Sequence, residues 1–181
     1  MASIADILQR YRKLTDFCAR FWSTVIDRYP KDIACHEGCG ICCELQSVSL
    51  IEAFSIWQAI SNIGLITAQP TDQSCVFLKN DSCLIYTARP VICRTHGLAI
   101  KSKEFISDYS ITCPYNFSAS ENIPPDIILD IDLITQNLVR LNYAFCMQIN
   151  KTQLASERIK LSDIANHNLE PEIQTAFELA L

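Results

Sequence analysis

Along the N-terminal stretch, apolar side chains recur at three- and four-residue intervals: Ile4, Ile7, Leu8, Tyr11, Leu14, Phe17, Cys18, Phe21, Trp22, Val25, Ile26 and Tyr29, stopping before Pro30. That spacing predicts one long amphipathic helix. Ser49-Leu50-Ile51-Glu52 has the form of a capping box, and Leu50, Ala53, Phe54, Trp57 and Ile60 make one apolar face before Asn62 and Gly64, which predicts a second helix. From Pro70 to Pro114 the helical period is lost. There, Cys75-Val76-Phe77-Leu78 and Cys83-Leu84-Ile85-Tyr86 flank the turn-forming Lys79-Asn80-Asp81-Ser82, a hairpin pattern, with little other strand evident. Past Pro124-Pro125-Asp126, the residues Ile127, Ile131, Ile134, Leu138, Leu141 and Phe145 again fall four and three apart, and Pro171 is placed to open a short last helix. The expected fold is mainly α with a small β-hairpin, an irregular cysteine-rich centre being flanked by long helices. It reads as a single domain over 1–181, with the cysteine region at 35–114 and helical flanks at 1–30 and 122–181.

Composition changes this picture in one respect. With 181 residues the chain is long enough to bury a core without covalent staples, yet it carries 10 cysteines. No basic start followed by an apolar run marks Met1-Ala2-Ser3-Ile4-Ala5-Asp6 as a secretory leader, so the expected compartment is the reducing cytoplasm, where thiols stay available as ligands. The formal charge is -5 and the basic residues are scattered, which argues against nucleic acid as a partner. No apolar run approaches the roughly 20 residues of a membrane span. A protein partner or substrate is left as the open possibility, of unknown identity.

All the cysteines but Cys18 and Cys146 lie between Cys35 and Cys113, and the first four make the run Cys35-His36-Glu37-Gly38-Cys39-Gly40-Ile41-Cys42-Cys43. Crowding of this kind points to a metal or iron-sulfur site rather than to packing. Cys35, Cys39 and Cys42 can be wrapped around one centre by a short loop, with Gly38 and Gly40 permitting tight turns. Neighbouring side chains of an extended segment point apart, so Cys42 and Cys43 would serve either two centres, or one cluster and its surroundings. Eight thiols suffice for two four-thiolate zinc sites or for one iron-sulfur cluster with spare cysteines, and spacing does not choose. If the hairpin pairs regularly, Cys75 and Cys83 stand about four rungs, or roughly 13 Å, apart, too far to share one zinc ion. They are then expected at different parts of the centre, with Cys83 nearer Cys93.

Taken together, Cys35-x3-Cys39-x2-Cys42-Cys43, Cys75-Val76-Phe77-Leu78, Cys83-Leu84-Ile85-Tyr86-x2-Arg89-Pro90-x2-Cys93-Arg94 and Cys113-Pro114 resemble the YkgJ-type cysteine cluster family, described as zinc- or iron-chelating. The resemblance implies Cys35, Cys39, Cys42, Cys43, Cys75, Cys83, Cys93 and Cys113 as ligands. Thr95-His96-Gly97 stands where many relatives carry an aromatic residue and proline, which makes His96 a candidate extra ligand or proton-handling group. Arg89 and Arg94 are candidates to offset thiolate charge and donate to sulfur. Pro90 is placed to start a helical turn carrying Cys93. Cys18 and Cys146, inside apolar helical stretches, read as core.

The expected function is that of a cytoplasmic metal-binding protein with an iron-sulfur cluster and a redox or accessory role. The alternatives are a zinc-stabilised protein-interaction module and a cluster-dependent protein-modifying enzyme, since a similar cysteine domain occurs in flagellin lysine methylases. Glu37 and Glu44 beside the loop are no independent sign of catalysis, and no residue is assigned a catalytic role.

Overall fold

The computed structural model describes residues 2–36, 38–61, 74–118 and 122–181. Its helices are α1 (Ile4–Arg28), α2 (Leu50–Ile60), α3 (Val91–Thr95), α4 (Ile131–Gln148), α5 (Leu161–Ala165) and α6 (Pro171–Leu179). The strands are β1 (Ser47–Val48), β2 (Leu78–Lys79), β3 (Ser82–Cys83), β4 (Ala99–Lys101), β5 (Ser110–Ile111), β6 (Ile128–Asp130) and β7 (Ile159–Lys160). The chain is thus mainly α with small β elements, as the periodicity predicts. No helix among the described residues is long and apolar enough to cross a membrane.

Helix starts follow the predicted chemistry. Ser3 caps α1 by accepting from the Asp6 amide while its own N–H donates to Asp6 Oδ2, both at 3.1 Å. At α2 the Ser49 N–H and hydroxyl both donate to Glu52 Oε2, at 3.1 and 2.8 Å. The predicted stop at Asn62 and Gly64 lies outside the described residues. The fourth helix starts later than its apolar spacing suggests. Pro125–Ile127 form a 3-10 turn, Ile128–Asp130 form β6, and Asp130 then caps α4 by accepting from the Leu133 amide at 3.1 Å. Ile127 is buried but belongs to the turn, because two consecutive prolines and a cap-forming aspartate delay the helix.

The core lies where α1 and α2 pack on α4. Phe54 of α2 contacts Phe145 of α4 and Phe177 of α6, ring centroids 5.2 Å away in each case. All three rings are fully buried, as are Cys18 and Cys146, so those two cysteines are core side chains. The buried Asn142 of α4 ties the frame together, accepting from the Ile51 amide at 3.0 Å and donating to Ala155 O at 2.9 Å.

The strands are more numerous than predicted. The expected hairpin is present, with Leu78 opposite Cys83 and Lys79 opposite Ser82. Asn80 and Asp81 adopt φ of 49° and 58°, as a tight type I′ turn requires. In addition β1 pairs antiparallel with β7, and β4 pairs antiparallel with β5 and parallel with β6. Strands of two or three residues offer no alternation to read, so only the hairpin with its turn signal was visible in sequence. The β4–β6 pairing places β4, which follows the Cys93 helix, against the chain that leads into α4.

Candidate metal centre

The loop after α1 is built from turns. The Cys39 amide donates to His36 O at 3.1 Å, that of Cys43 to Gly40 O at 3.0 Å, and that of Glu44 to Cys42 O at 3.0 Å. Gly38 supplies the left-handed conformation this path needs, with φ of 89°. Gly40 serves differently: a Cβ there would stand 3.0 Å from Leu78 Cδ2, so its missing side chain lets the hairpin close over the loop. Because the segment turns, Cys42 and Cys43 do not point apart as an extended segment would make them.

Four further elements bring up the other cysteines. The Cys75 amide donates to Cys43 O at 2.7 Å, which fixes the hairpin's first cysteine beside the loop. Regular pairing does not reach Cys75. It ends near Phe77, whose carbonyl accepts from Leu84, while the Leu78 amide turns back to Cys75 O at 2.9 Å. Burial raises the Cys75 and Cys83 thiols, against the backbone amides of Phe77 and Leu78 beside Cys75 and of Ile85 beside Cys83. Because regular pairing stops short of Cys75, the four-rung separation does not apply to Cys75 and Cys83, and the charge of Cys83 adds to the rise at Cys75.

Cys93 rides on α3, which Pro90 precedes as N-cap. The short helix is held by Glu52, a buried carboxylate whose Oε1 accepts from the Val91 amide at 3.0 Å while its Oε2 caps α2. Cys113 follows β5 in a turn closed by the Asn116 amide on Cys113 O, at 3.2 Å. Asn116 is 1 % exposed and fully used. Its Oδ1 accepts from the Ala34 amide at 2.8 Å, and its Nδ2 donates to Gly97 O at 2.7 Å and to Cys35 Sγ at 3.3 Å. Gly97 has φ of 91°, and a Cβ there would meet Asn116 Nδ2 at 3.0 Å and Cys35 Sγ at 3.1 Å. Sequence reasoning passed over Asn116, although its place three residues after Cys113 is a usable signal, and it saw Glu52 only as a helix cap.

Electrostatics group the sulfurs. Burial raises Cys35 to about 11, with the charges of Cys113 and Cys39 adding to it against the Asn116 hydrogen bond. Burial raises Cys93 to about 12, the charges of Cys75, Cys83 and Cys43 adding and Arg89 opposing. Cys42 is raised by burial and then by Cys43, Cys39 and Cys113, and Cys43 by burial and then chiefly by Cys75 and Cys83. Partly buried thiols that raise one another are a donor set suited to a thiophilic cation, which would offset the charge they cannot share. Among the described residues, no three Cys, His, Asp or Glu side chains converge tightly enough to hold an ion as they stand. The sulfurs would have to draw together on binding.

The remaining candidates divide. The Arg89 guanidinium lies over the Tyr86 ring, 3.6 Å from its centroid, and its charge favours the thiolates of Cys83 and Cys93. Arg94 is a brace: it donates to the carbonyls of Arg89 and Thr87, and its ionic neighbours are Arg89 and then Tyr11, Asp16 and Cys18 of α1. Of the two, Arg89 is the one whose charge bears on Cys83 and Cys93. His96 is half-buried and held below the usual imidazole range by burial, against Glu44 and a hydrogen bond to the Thr112 backbone. His36 Nδ1 lies 2.9 Å from Ala34 O. Glu37 lies outside the described residues.

Comparison with known proteins gives one match: residues 34–114 fit the model of the CxxCxxCC family, described as a putative zinc- or iron-chelating domain. No curated protein and no solved structure matches the chain. The matched segment runs from just before Cys35 to just after Cys113 and takes in all eight clustered cysteines, leaving the whole of α1 and everything from β6 onward outside it. Residues 34–114 are thus similar to the CxxCxxCC domain, described as putatively zinc- or iron-chelating, and the similarity spans the whole cysteine-rich segment.

Proposed function

We propose that the cysteine centre carries an iron-sulfur cluster and works in electron transfer, or as an accessory to a redox reaction, in the cytoplasm. The observation that supports this most is the opening of the centre at Cys42. Cys42 is exposed, while the other seven clustered cysteines are partly covered. Beside it the apolar side chain of Ile41 is 65 % exposed. A sulfur-lined centre that reaches the surface beside an apolar side chain suits contact with a protein partner, whereas a zinc ion that only supports folding needs no such edge. When bound, an iron-sulfur cluster supplies one-electron chemistry, and its potential responds to hydrogen bonds and charge near the sulfurs. Asn116, which donates to Cys35 Sγ, and Arg89, whose charge favours the thiolates of Cys83 and Cys93, are the groups of this chain placed to provide them.

The second reading is a zinc-stabilised interaction module. It is favoured by the tight hairpin that carries Cys83 and the backbone bond that ties Cys75 to the Cys43 loop, turns that could close around a structural four-thiolate zinc ion. Anaerobic purification with metal and sulfide analysis separates the two. Broad visible absorption that bleaches on reduction is the expected result, and a colourless protein containing zinc alone would overturn the iron-sulfur reading.

A further inference from the structure

We infer that the groove between α1 and α4 is a docking site for an acidic amphipathic helix of a partner protein. The groove lies in the flanking helices, outside the cysteine segment, and its occupant does not depend on which metal the centre holds.

Two facing stripes make the groove. Ile7 and Leu14 stand two turns apart on one face of α1, Leu141 and Ala144 line the α4 side, and the space between is about 470 Å³. Ile7 is buried and the other three are partly covered, so the floor is apolar. Its rim is cationic. Arg10 and Lys13 of α1 and Arg140 of α4 border it, and the remaining lining residues, Ala2 and Asn137, carry no charge. In a chain of net charge -5 this is a local exception. Among the described residues the ion pairs are Arg28 with Asp126, Lys101 with Asp130 and Lys151 with Glu172, so none of the three rim cations has a carboxylate partner there. Asp6 feels the Arg10 charge, but its Oδ2 already accepts from the Ser3 amide and hydroxyl.

The apolar surface continues past the groove. Leu133, Arg140 and Met147 follow one another at seven-residue spacing on α4, with Tyr143 between the last two, and Leu133, Tyr143 and Met147 are all exposed. From Leu133 to Met147 this stripe runs about 21 Å, or roughly four helical turns. Apolar side chains left in water beside cations without partners call for a cover that is apolar on one face and acidic at its edges. A small anionic molecule would fill the groove and leave the stripe in water. A second copy docking through the same face would set three cations against three, because a two-fold contact repeats each residue across the axis. A helix with leucines at three- and four-residue spacing and glutamates flanking them covers groove and stripe together.

The probe is a synthetic helical peptide of about 16 residues, leucine on one face and glutamate and alanine elsewhere, with a twin carrying lysine in place of glutamate. Titrated into the full chain and followed by amide NMR shifts, the acidic peptide should move the signals of residues 7–14 and 133–147. It should bind at least about tenfold more tightly than the lysine twin. Arg140→Glu and Lys13→Glu should each weaken it by about tenfold, with metal content at the parental level. Equal affinity for the two peptides, shifts confined to other surfaces, or no binding of the acidic peptide would overturn the proposal. So would a dimer in sedimentation that Arg140→Glu dissolves, which would give the face to a second copy. Arg140-dependent sedimentation with phosphatidylglycerol vesicles, with no peptide bound, would overturn it in favour of a lipid surface. Both substituted residues are exposed, and should circular dichroism show that both variants unfold, the two peptides on the parent protein decide.

Discussion

Two cysteine populations of this chain live under opposite physics. Cys18 in α1 and Cys146 in α4 have no exposed surface and sit among apolar neighbours in a helical frame whose backbone bonds are local. Burial pushes both thiols up to about 11, so they stay neutral and act as small hydrophobes. The clustered cysteines are held by turns, a short hairpin and single hydrogen bonds from distant residues, with little apolar surface of their own between Gly38 and Cys43. There, burial and mutual charge act together, and a cation resolves the conflict. The frame is stable through what it excludes from water, the loop through what it binds.

Metal removal should separate the regions most sharply. Stripped protein should lose amide-exchange protection between Cys35 and Cys113, on the order of 10 kcal/mol if the coupling resembles that of small structural sites, while α1, α2 and α4 stay protected. Equal protection with and without metal would mean that the loop folds on its own.

Phe54→Ala probes the other side. Removing the ring that contacts Phe145 and Phe177 should cost about 3–5 kcal/mol in denaturant unfolding with unchanged metal content. Metal loss in this variant would show that frame and loop are not separable.

Glu52→Ala tests the joint between them. It strands the Val91 and Ser49 amides, at a cost of about 1.5–3 kcal/mol, and should weaken metal retention by loosening the short helix that carries Cys93. Metal content of variant and parent after matched chelator exposure reads the difference.

The smallest effect is one of pH. From the ordinary thiol value of 9.0 up to about 11, unfolded chains release the Cys18 and Cys146 protons while the native state keeps them. Stability should therefore fall as pH rises through that window, by at most about 2 kcal/mol per thiol. Cys18→Ala should flatten the slope, with metal content unchanged. A slope identical in the variant would show that Cys18 does not contribute to it.

By itself the sequence determined the helices with long apolar periods and clear caps, the hairpin turn at Asn80 and Asp81, and the separation of Cys18 and Cys146 from the other eight cysteines. Each of these rests on neighbours within a few positions, where spacing and backbone preference act directly. Tertiary structure decided which cysteine meets which. Asn116 reaches Cys35 across 81 positions and Glu52 reaches Val91 across 39, and β4 pairs with β6 over a comparable gap. Cys75 is tied to Cys43 because the strand curls at Phe77 and leaves its amide free to reach the loop, and the loop itself turns at Cys42 and Cys43. No local preference encodes such meetings, because each depends on closing a long loop against a frame that must first be built.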